Sequence, residues 1–260
     1  MIVIPSYNRY KYMKTIQTLH KHAIPIDSIT IYVIQEEYNE YKKEFPDYKI
    51  VVGVKGLIPQ RQFIMDQYPE GTPLVFMDDD LDEIDLSMTT FSLQKFIEHA
   101  FQQCTEQKAY LWGVYPTYNP FFRKTKKEMD TCLNFIVGCF YGVIVRKNPN
   151  LDITLCHHGN KEDVERSIRY FIKDGIVLRF NKVSIKTKYY GSVGGLGTKK
   201  DRMESIQIEA NKIQKVFSDY GKIKVRKNGL TEFVLKKIKR IPENTLFLHG
   251  EYSNAPIHVH

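Results

Sequence analysis

Short runs of β-branched and aromatic residues recur along the chain and alternate with segments long enough for helices, and this alternation restricts the fold more than any other feature. The runs are Ile2 to Pro5, Ile29 to Ile34, Ile50 to Val54, Leu74 to Met77 and Tyr110 to Val114. Strands that alternate with helices predict an α/β sheet with substantial parallel character. Open α/β sheets bind ligands beyond the carboxyl ends of their strands. We therefore expect a functional site in the loops that follow these runs.

Several other segments carry the end signals or the apolar spacing of helices. They are the segment after Gly56 with Pro59 and Arg61 in its first turn, Ser92 to Gln107, Asn160 to Lys173 with Gly175 behind it, and Asp201 to Tyr220. The apolar run from Asn134 to Val145 contains two glycines and predicts strand, bend and strand. A further strand is predicted within Ile176 to Tyr190.

At 260 residues, with 42% hydrophobic and 26% charged residues, the chain predicts one sizeable folded domain, with or without a terminal appendage. Met1 leads into Ile2 to Pro5 without the basic and apolar regions of a signal peptide, and no run approaches the roughly 18 apolar residues of a membrane span. The four cysteines form no C-x-x-C pair. We expect reduced thiols, no membrane partner and a cytoplasmic location.

Positive charge is concentrated in one part of the chain. The formal net charge is +8, yet Lys182 to Arg240 holds 16 Lys or Arg against five Asp or Glu, a local charge of +11. A positive surface of this size attracts polyanions such as nucleic acid or phosphate-bearing ligands. A solvated basic face is the alternative.

The apolar run Leu74 to Met77 ends on three consecutive aspartates, Asp78, Asp79 and Asp80. Like charges at the end of a strand repel unless a cation or hydrogen-bond donors offset them. Mg²⁺ or Mn²⁺ would do so, and Mg²⁺ uses one or two carboxylates while keeping positions for substrate phosphate. In an extended segment Asp78 and Asp80 point the same way. The alternative is an acidic turn that caps a following helix.

The first strand ends in Pro5, Ser6, Tyr7, Asn8 and Arg9. These residues place hydrogen-bonding groups, an aromatic ring and a cation at the carboxyl end of a strand, which suits a nucleotide.

Together these motifs resemble the glycosyltransferase A fold, and more narrowly the base J glucosyltransferase family and the related viral and phage TET-associated glycosyltransferases, which glycosylate hydroxymethylpyrimidines in DNA. The resemblance covers roughly residues 1 to 200 and rests on "IPSYNR", "GLIPQRQFIMD", "VFMDDDLDEI", "WGVYPTYNPFF", "NFIVGCFYG" and "NKEDVERSIRY". It implies a Rossmann-like mixed sheet flanked by helices.

The resemblance also implies a donor site. Pro5, Ser6, Asn8 and Arg9 would line the nucleotide pocket, Arg61 would meet the diphosphate, and Asp78 and Asp79 would join this set. Asp80, with Asp78, would hold Mg²⁺ or Mn²⁺, and a UDP-sugar would be the donor. The glycine-rich segment Gly191 to Lys200 could clamp the diphosphate through its amides and Lys199 or Lys200, or could be a plain glycine turn.

For catalysis the resemblance points to Glu162 and Asp163, with Asp163 as the base that takes the proton of the acceptor hydroxyl. The alternative is structural, because Asn160 followed three positions later by Asp163 is close to a capping box.

The acceptor is expected at an aromatic cluster that follows a predicted strand. Its members are Trp112, Tyr115, Tyr118 and Asn119, with Phe121 and Phe122 behind them. Aromatic rings stack on sugars or on an extruded base. Core packing is the competing interpretation, and we favour it for Trp112 and Phe121.

The leading hypothesis is a metal-dependent, inverting transfer of a hexose, glucose from UDP-glucose, to 5-hydroxymethylpyrimidine in DNA. A glycan, lipid or protein acceptor is one alternative, and a non-catalytic nucleic-acid-binding protein on the same fold is another. Residues 1–200 would form the catalytic domain, and residues 201–260 a basic helical extension and tail packed on it. If the chain is viral or from a phage, its location would be the host cytoplasm.

Overall fold

The computed structural model describes residues 1–187 and 198–242, and its fold is α/β. The strands are β1 (Ile2–Pro5), β2 (Ile29–Val33), β3 (Lys49–Val52), β4 (Pro73–Met77), β5 (Leu81–Asp85), β6 (Leu111–Tyr115), β7 (Met129–Asp130), β8 (Phe140–Ile144), β9 (Leu178–Thr187), β10 (Gly221–Val225) and β11 (Thr231–Leu235). The helices are α1 (Lys14–Lys21), α2 (Tyr38–Glu44), α3 (Leu57–Asp66), α4 (Leu93–Gln107), α5 (Glu162–Asp174) and α6 (Lys199–Val216).

Nine strands form one mixed sheet in the order β3-β2-β1-β4-β8-β6-β9-β5, with β7 paired to β9. Neighbours from β3 to β4 run parallel, β8 runs antiparallel to β4 and β6, and β6 and β9 run parallel. The prediction of a mixed α/β sheet flanked by helices is confirmed.

Apolar side chains pack on both faces of the sheet because the side chains of a strand alternate. In β1, Ile2 and Ile4 join the core cluster that includes Leu19 of α1 and Phe96 of α4. Val3 points the other way, into the cluster that holds Ile64 of α3 and Ile168 of α5. Two apolar layers thus fix the sheet between two sets of helices.

The C-terminal part adds α6 and a two-stranded antiparallel hairpin, β10–β11. Ile213, Phe217 and Phe233 from this part lie in the same core cluster as Val3. The sequence predicted the helix but not the hairpin. The division of the chain at residue 200 stays a prediction.

Local differences from the sequence predictions are confined to short elements. Only Phe140–Ile144 is a strand within the run predicted as strand, bend and strand. The acidic triplet is followed by β5 rather than by a helix, so the helix-capping alternative is wrong. Ser92 caps α4 as predicted, because its hydroxyl accepts from the Lys95 amide. Within the described ranges, no helix is both long and apolar enough to cross a bilayer.

Candidate active site

A cleft of about 1050 Å³ opens beyond the carboxyl ends of β1 and β4. Because β1 and β4 are parallel neighbours, the loops that follow them leave the sheet at the same edge. The cleft is also bordered by the segment before α3, the first turn of α5 and the β10–β11 hairpin. Of the predicted site residues, it brings together Pro5, Ser6, Arg9, Arg61, Asp78, Asp79, Asp80, Glu162 and Asp163.

The turn that carries the acidic triplet is anchored by the first turn of α1. The Lys14 and Thr15 amides donate to the Asp79 carbonyl at 3.0 and 3.3 Å. The Thr15 hydroxyl donates to the Asp78 carbonyl and accepts from the Leu81 amide at 3.0 Å. The first N–H groups of a helix have no partner within it, and here they donate to the backbone of the turn and fix its shape.

Asp79 and Asp80 are bound by the loop that follows β1. The Ser6 hydroxyl donates to Asp79 Oδ2 at 2.5 Å, and Arg9 Nη1 lies 2.9 Å from Asp79 Oδ1 and 2.5 Å from Asp80 Oδ2. Asp80 also accepts from the Thr187 hydroxyl at 3.2 Å. One guanidinium thus bridges two of the aspartates.

Arg61 joins the triplet to α5. Its Nη2 lies 2.8 Å from Asp78 Oδ1 and donates to the Gly138 carbonyl at 2.8 Å, while Nη1 forms an ion pair with Glu162. Arg166, one helical turn later, pairs with the other oxygen of Glu162. Arg61 and Glu162 are 7% and 4% exposed, so the ion pair between them is shielded from water, whereas the Asp78 side chain reaches the cleft.

These contacts change the electrostatic argument for a metal. Burial raises the pKa of Asp78 to about 6 and that of Asp79 to about 7, although the Arg61 and Arg9 guanidiniums act in the opposite direction. Arg9 and Arg61 are therefore cations within the chain that offset part of the triplet's repulsion, and the role of a divalent ion stays a prediction.

The residues still fit a hard divalent cation in their chemistry. Within the described parts of the chain, no group of three or more His, Cys, Asp and Glu side chains could hold a metal ion. Mg²⁺, however, needs only one or two protein carboxylates when substrate phosphates and water complete its shell. The Asp78 and Asp80 side chains are 34% and 26% exposed and border the cleft, whereas that of Asp79 is 10% exposed. Asp78 and Asp80 are therefore the residues that could ligate a metal.

The two acidic residues that begin α5 differ in their surroundings. Burial alone would raise the pKa of Glu162, but the guanidiniums of Arg166 and Arg61 outweigh burial and hold it below its usual range. Burial, together with the negative charge of Glu162, raises the pKa of Asp163 to about 6. Glu162 is thus held as an anion, and Asp163 is the group that can exchange a proton near neutral pH.

The capping-box alternative for Asp163 is not realised. The residue before α5 is Lys161, and the Asn160 side chain contacts α6 instead, with Ser205 Oγ at 2.9 Å and Arg202 Nε at 2.6 Å. The Asp163 carboxylate accepts from the adjacent Val164 amide at 2.9 Å.

A comparison of the sequence with protein families assigns this chain to a family. Residues 1–195 match the family model of the TET-Associated Glycosyltransferases. The chain belongs to this family. No curated protein sequence shows a significant match.

Among solved structures, this TET-associated glycosyltransferase is similar to GalNAc-T7 crystallised with UDP, GalNAc and Mn²⁺, with a TM-score of 0.50 and 12% identity. The match covers 82% of this chain and 47% of that one, so the chain spans about half the length of that protein. The likeness shows the fold, which is the glycosyltransferase A fold. A weaker similarity is to the 4-diphosphocytidyl-2C-methyl-D-erythritol synthase from Anaerococcus prevotii, with a TM-score of 0.31 and 10% identity. That match covers 45% of this chain and 56% of the other.

Several predicted residues of this glycosyltransferase lie away from the cleft. Trp112 is fully buried among Phe96, Phe140 and Phe180, so its assignment to the acceptor site was wrong and the core alternative holds. The Asn8 amide donates to Glu37 at 2.8 Å, and Asn8 does not border the cleft.

The other predicted acceptor residues also lie outside the cleft lining. Tyr115 lies beneath Arg179, whose guanidinium carbon is 5.2 Å from the ring centroid, and Tyr118 is 5.6 Å from Lys186 Nζ. Asn119 accepts from the Phe121 amide at 3.0 Å and so caps a short turn. Phe121, expected in the core, is 79% exposed. The side chain of Lys199, and most of the glycine-rich segment before it, lie outside the described residues.

Sequence reasoning missed several residues that border this family member's cleft, and one, Arg166, that supports it from outside the lining. Gly138 passes so close to Glu162 that a Cβ there would lie 2.5 Å from Glu162 Oε1, and its place in the "NFIVGCFYG" motif was the available signal. Arg166 holds Glu162, and its spacing of four residues on α5 was the signal. The hairpin residues Arg226 and Lys236 border the cleft without any motif.

Proposed function

We propose that this protein transfers a hexose, glucose from UDP-glucose, to the hydroxyl of a 5-hydroxymethylpyrimidine in DNA, with inversion at the anomeric carbon. The observation that carries the proposal is the convergence of Arg9, Asp78, Asp80 and Asp163 on one cleft in a TET-associated glycosyltransferase. The cleft volume, about 1050 Å³, suits a nucleotide-sugar together with part of an acceptor.

In the proposed reaction, the acidic residues that begin α5 act on the acceptor, and the residues around the acidic triplet bind the donor. Asp163 accepts the proton of the acceptor hydroxyl while the oxygen of that hydroxyl bonds to the anomeric carbon of the sugar. The bond from the anomeric carbon to the diphosphate oxygen breaks, and UDP leaves. Glu162 remains ionised between Arg61 and Arg166 and helps to keep the pKa of Asp163 raised.

At the donor end, Ser6 and Arg9 border the cleft beside the triplet, and Asp80 with Asp78 would hold Mg²⁺ or Mn²⁺. A bound ion of this kind supplies positive charge that stabilises the departing diphosphate. GalNAc-T7, which shares the fold, was crystallised with UDP and Mn²⁺, and this supports a UDP-sugar donor and a metal here.

The DNA acceptor is supported by the family and by charge. Positively charged side chains border the cleft on several sides. They are Lys126, Lys161, Arg179, Arg202, Arg226, Lys236 and Lys237. Phosphate contacts position a nucleic acid without reading its sequence, and a separate pocket then selects the base.

The test is a measurement of UDP release from UDP-glucose with three duplexes of one sequence, containing 5-hydroxymethylcytosine, 5-hydroxymethyluracil or no modification. Release that requires a hydroxymethyl base supports the proposal. Release with a glycan or a hydroxylated peptide and not with any DNA would overturn the acceptor. DNA binding without UDP binding in the presence of Mn²⁺ would make the protein a non-catalytic nucleic-acid binder.

A further inference from the structure

The most exposed large hydrophobic side chain of the described residues is Phe121, at 79%, and Phe122 beside it is 51% exposed. Their ring centroids are 5.5 Å apart at an interplanar angle of 84°, so the rings form one edge-to-face pair. We refer to Phe121 and Phe122 as the aromatic knob. Two adjacent phenylalanines left in water favour a contact role over a purely structural one.

The knob stands on a rigid base. Asn119 Oδ1 accepts from the Phe121 amide at 3.0 Å, and the Arg123 amide donates to the Pro120 carbonyl at 3.0 Å. The Arg123 side chain is fully buried, where it pairs with Asp85 and donates to the Lys182 carbonyl at 2.9 Å. A buried ion pair beneath an exposed turn fixes the backbone that carries the two rings.

Several lysines follow the knob in sequence or contact the segments on either side of it. Lys124, Lys126 and Lys127 follow it directly and are exposed. From β9, Lys182 Nζ donates to the Lys124 carbonyl at 3.0 Å, and Lys186 lies against Tyr118. Two exposed carboxylates, Glu128 after these lysines and Glu83 of β5 beside Tyr118, offset only part of this charge. The surface therefore combines exposed aromatic rings with excess positive charge, which complements a nucleic acid.

The knob also stands at the edge of the cleft. Pro116, Thr117 and Lys126, on either side of it in sequence, border the cleft, while the two phenylalanines do not. A base that enters the cleft from a duplex must leave its stack. Aromatic or other apolar side chains inserted between base steps stabilise such an opening.

We propose that the aromatic knob is a wedge for duplex DNA. Phe121 enters the stack beside the acceptor nucleotide and occupies the space of the base that turns into the cleft, while Lys124 and Lys127 contact the flanking phosphates. This inference rests on the proposed DNA acceptor. The wedge acts by noncovalent stacking and forms no bond with the DNA.

The test compares wild type with Phe121→Ala and Phe121→Trp, and uses Phe91→Ala as the matched control. Phe91 is also an exposed phenylalanine, at 37%, but it stacks on His99 and does not border the cleft. The first readout is the ratio of kcat/KM on a hydroxymethylated duplex to kcat/KM on the same strand alone. We expect Phe121→Ala to lower this ratio at least ~10-fold, because only the duplex requires unstacking. Phe121→Trp should keep the ratio within about twofold of wild type, since tryptophan also stacks on bases.

The second readout needs no transfer. A duplex of unmodified sequence carries 2-aminopurine at the position expected to unstack, and its fluorescence should rise on binding of wild type and of Phe91→Ala but not of Phe121→Ala. If wild type glycosylates DNA while neither readout responds to Phe121, the wedge is wrong and the proposed function stands. If the fluorescence responds but no hydroxymethylated DNA is glycosylated, the acceptor is wrong and the wedge stands. Phe121-dependent sedimentation with phosphatidylserine vesicles, without any effect on DNA, would overturn the proposal in favour of a membrane contact.

Discussion

Arg61 Nη2 lies 2.8 Å from Asp78 Oδ1, and this contact joins α3 to the turn after β4. The same guanidinium pairs with Glu162 at the start of α5. The donor and acceptor ends of the proposed reaction are therefore linked through one buried cation.

Removal of this cation should destabilise the fold. Arg61→Ala leaves Glu162 with one of its two cations and leaves Asp78 without its arginine, and the loss of one partner from a buried pair costs about 3 to 5 kcal/mol. Urea unfolding measures the free energy of unfolding. Lys43→Ala is the control, because Lys43 is an exposed cation on α2 and its removal should cost no more than about 0.5 kcal/mol. A loss below ~1 kcal/mol for Arg61→Ala would contradict this account.

The pH dependence of transfer should report Asp163. A base must be ionised to accept a proton, and the pKa of Asp163 is raised from 3.8 to about 6, so kcat/KM should fall as the pH drops through about 6. Below that value the expected slope is one factor of ten per pH unit. Asp163→Asn should lose about 10²- to 10⁴-fold in transfer. Because Asp78 and Asp79 titrate in the same range, UDP affinity must be measured over the same pH values. If UDP affinity falls over the same pH range and by the same factor as kcat/KM, the fall in kcat/KM does not come from Asp163.

Metal-dependent donor binding should depend on Asp80 more than on Asp79. Arg9 pairs with both aspartates, but the Asp80 side chain is 26% exposed and borders the cleft, whereas that of Asp79 is 10% exposed and is also bound by Ser6. We expect Asp80→Asn to weaken Mn²⁺-dependent UDP binding by about tenfold or more, since even residues that only orient a metal ligand contribute 10- to 100-fold. Calorimetry with and without Mn²⁺ checks this. The metal assignment is wrong if Asp80→Asn binds UDP with the wild-type response to Mn²⁺.

Trp112 should behave as a core residue. Trp112→Ala should cost about 3 to 5 kcal/mol, as for other large aromatic deletions in cores. Trp112→Phe should cost less and should transfer glucose at the wild-type rate per folded molecule, because Trp112 does not touch the cleft. Thermal unfolding and the transfer assay together separate the two effects. Selective loss of acceptor affinity in Trp112→Phe would restore Trp112 to the acceptor site.

Salt should weaken DNA binding, and the hairpin should contribute to this dependence. Each phosphate contact adds about −0.9 to the slope of log K against log salt for duplex DNA. Lys236 and Lys237 border the cleft and are exposed, so the double variant Lys236→Ala/Lys237→Ala should reduce the slope by up to about 1.8. Lys49→Ala, at the start of β3 on the far edge of the sheet, should leave the slope unchanged. An equal slope for the double variant would exclude the hairpin from the DNA interface.

The sequence predicted the parts of this structure whose signals are local. Apolar runs located β1 and β4, and the shared edge of parallel strands brought Ser6 and Asp79 together. The triplet's partners were not predictable, because Arg61 is 17 residues from Asp78 and its pairing depends on how α3 packs.

Aromatic residues show the same limit. Trp112 and Phe121 belong to one motif, and both were favoured as core, but only the structure shows that the strand buries the first ring and the turn exposes the second. β5 and β7 escaped prediction because their short sequences carry no apolar period of their own. Their pairing with β9 defines them.

Thr15 has a consequence for how variants of this protein are interpreted. It does not border the cleft, yet its hydroxyl hydrogen-bonds to the backbone on both sides of the acidic turn, at the Asp78 carbonyl and the Leu81 amide. A substitution of this threonine would shift Asp78 to Asp80 through the backbone, without removing any side chain that borders the cleft. In a screen of natural variants, it would be scored as a defect in substrate handling at a position remote from any substrate.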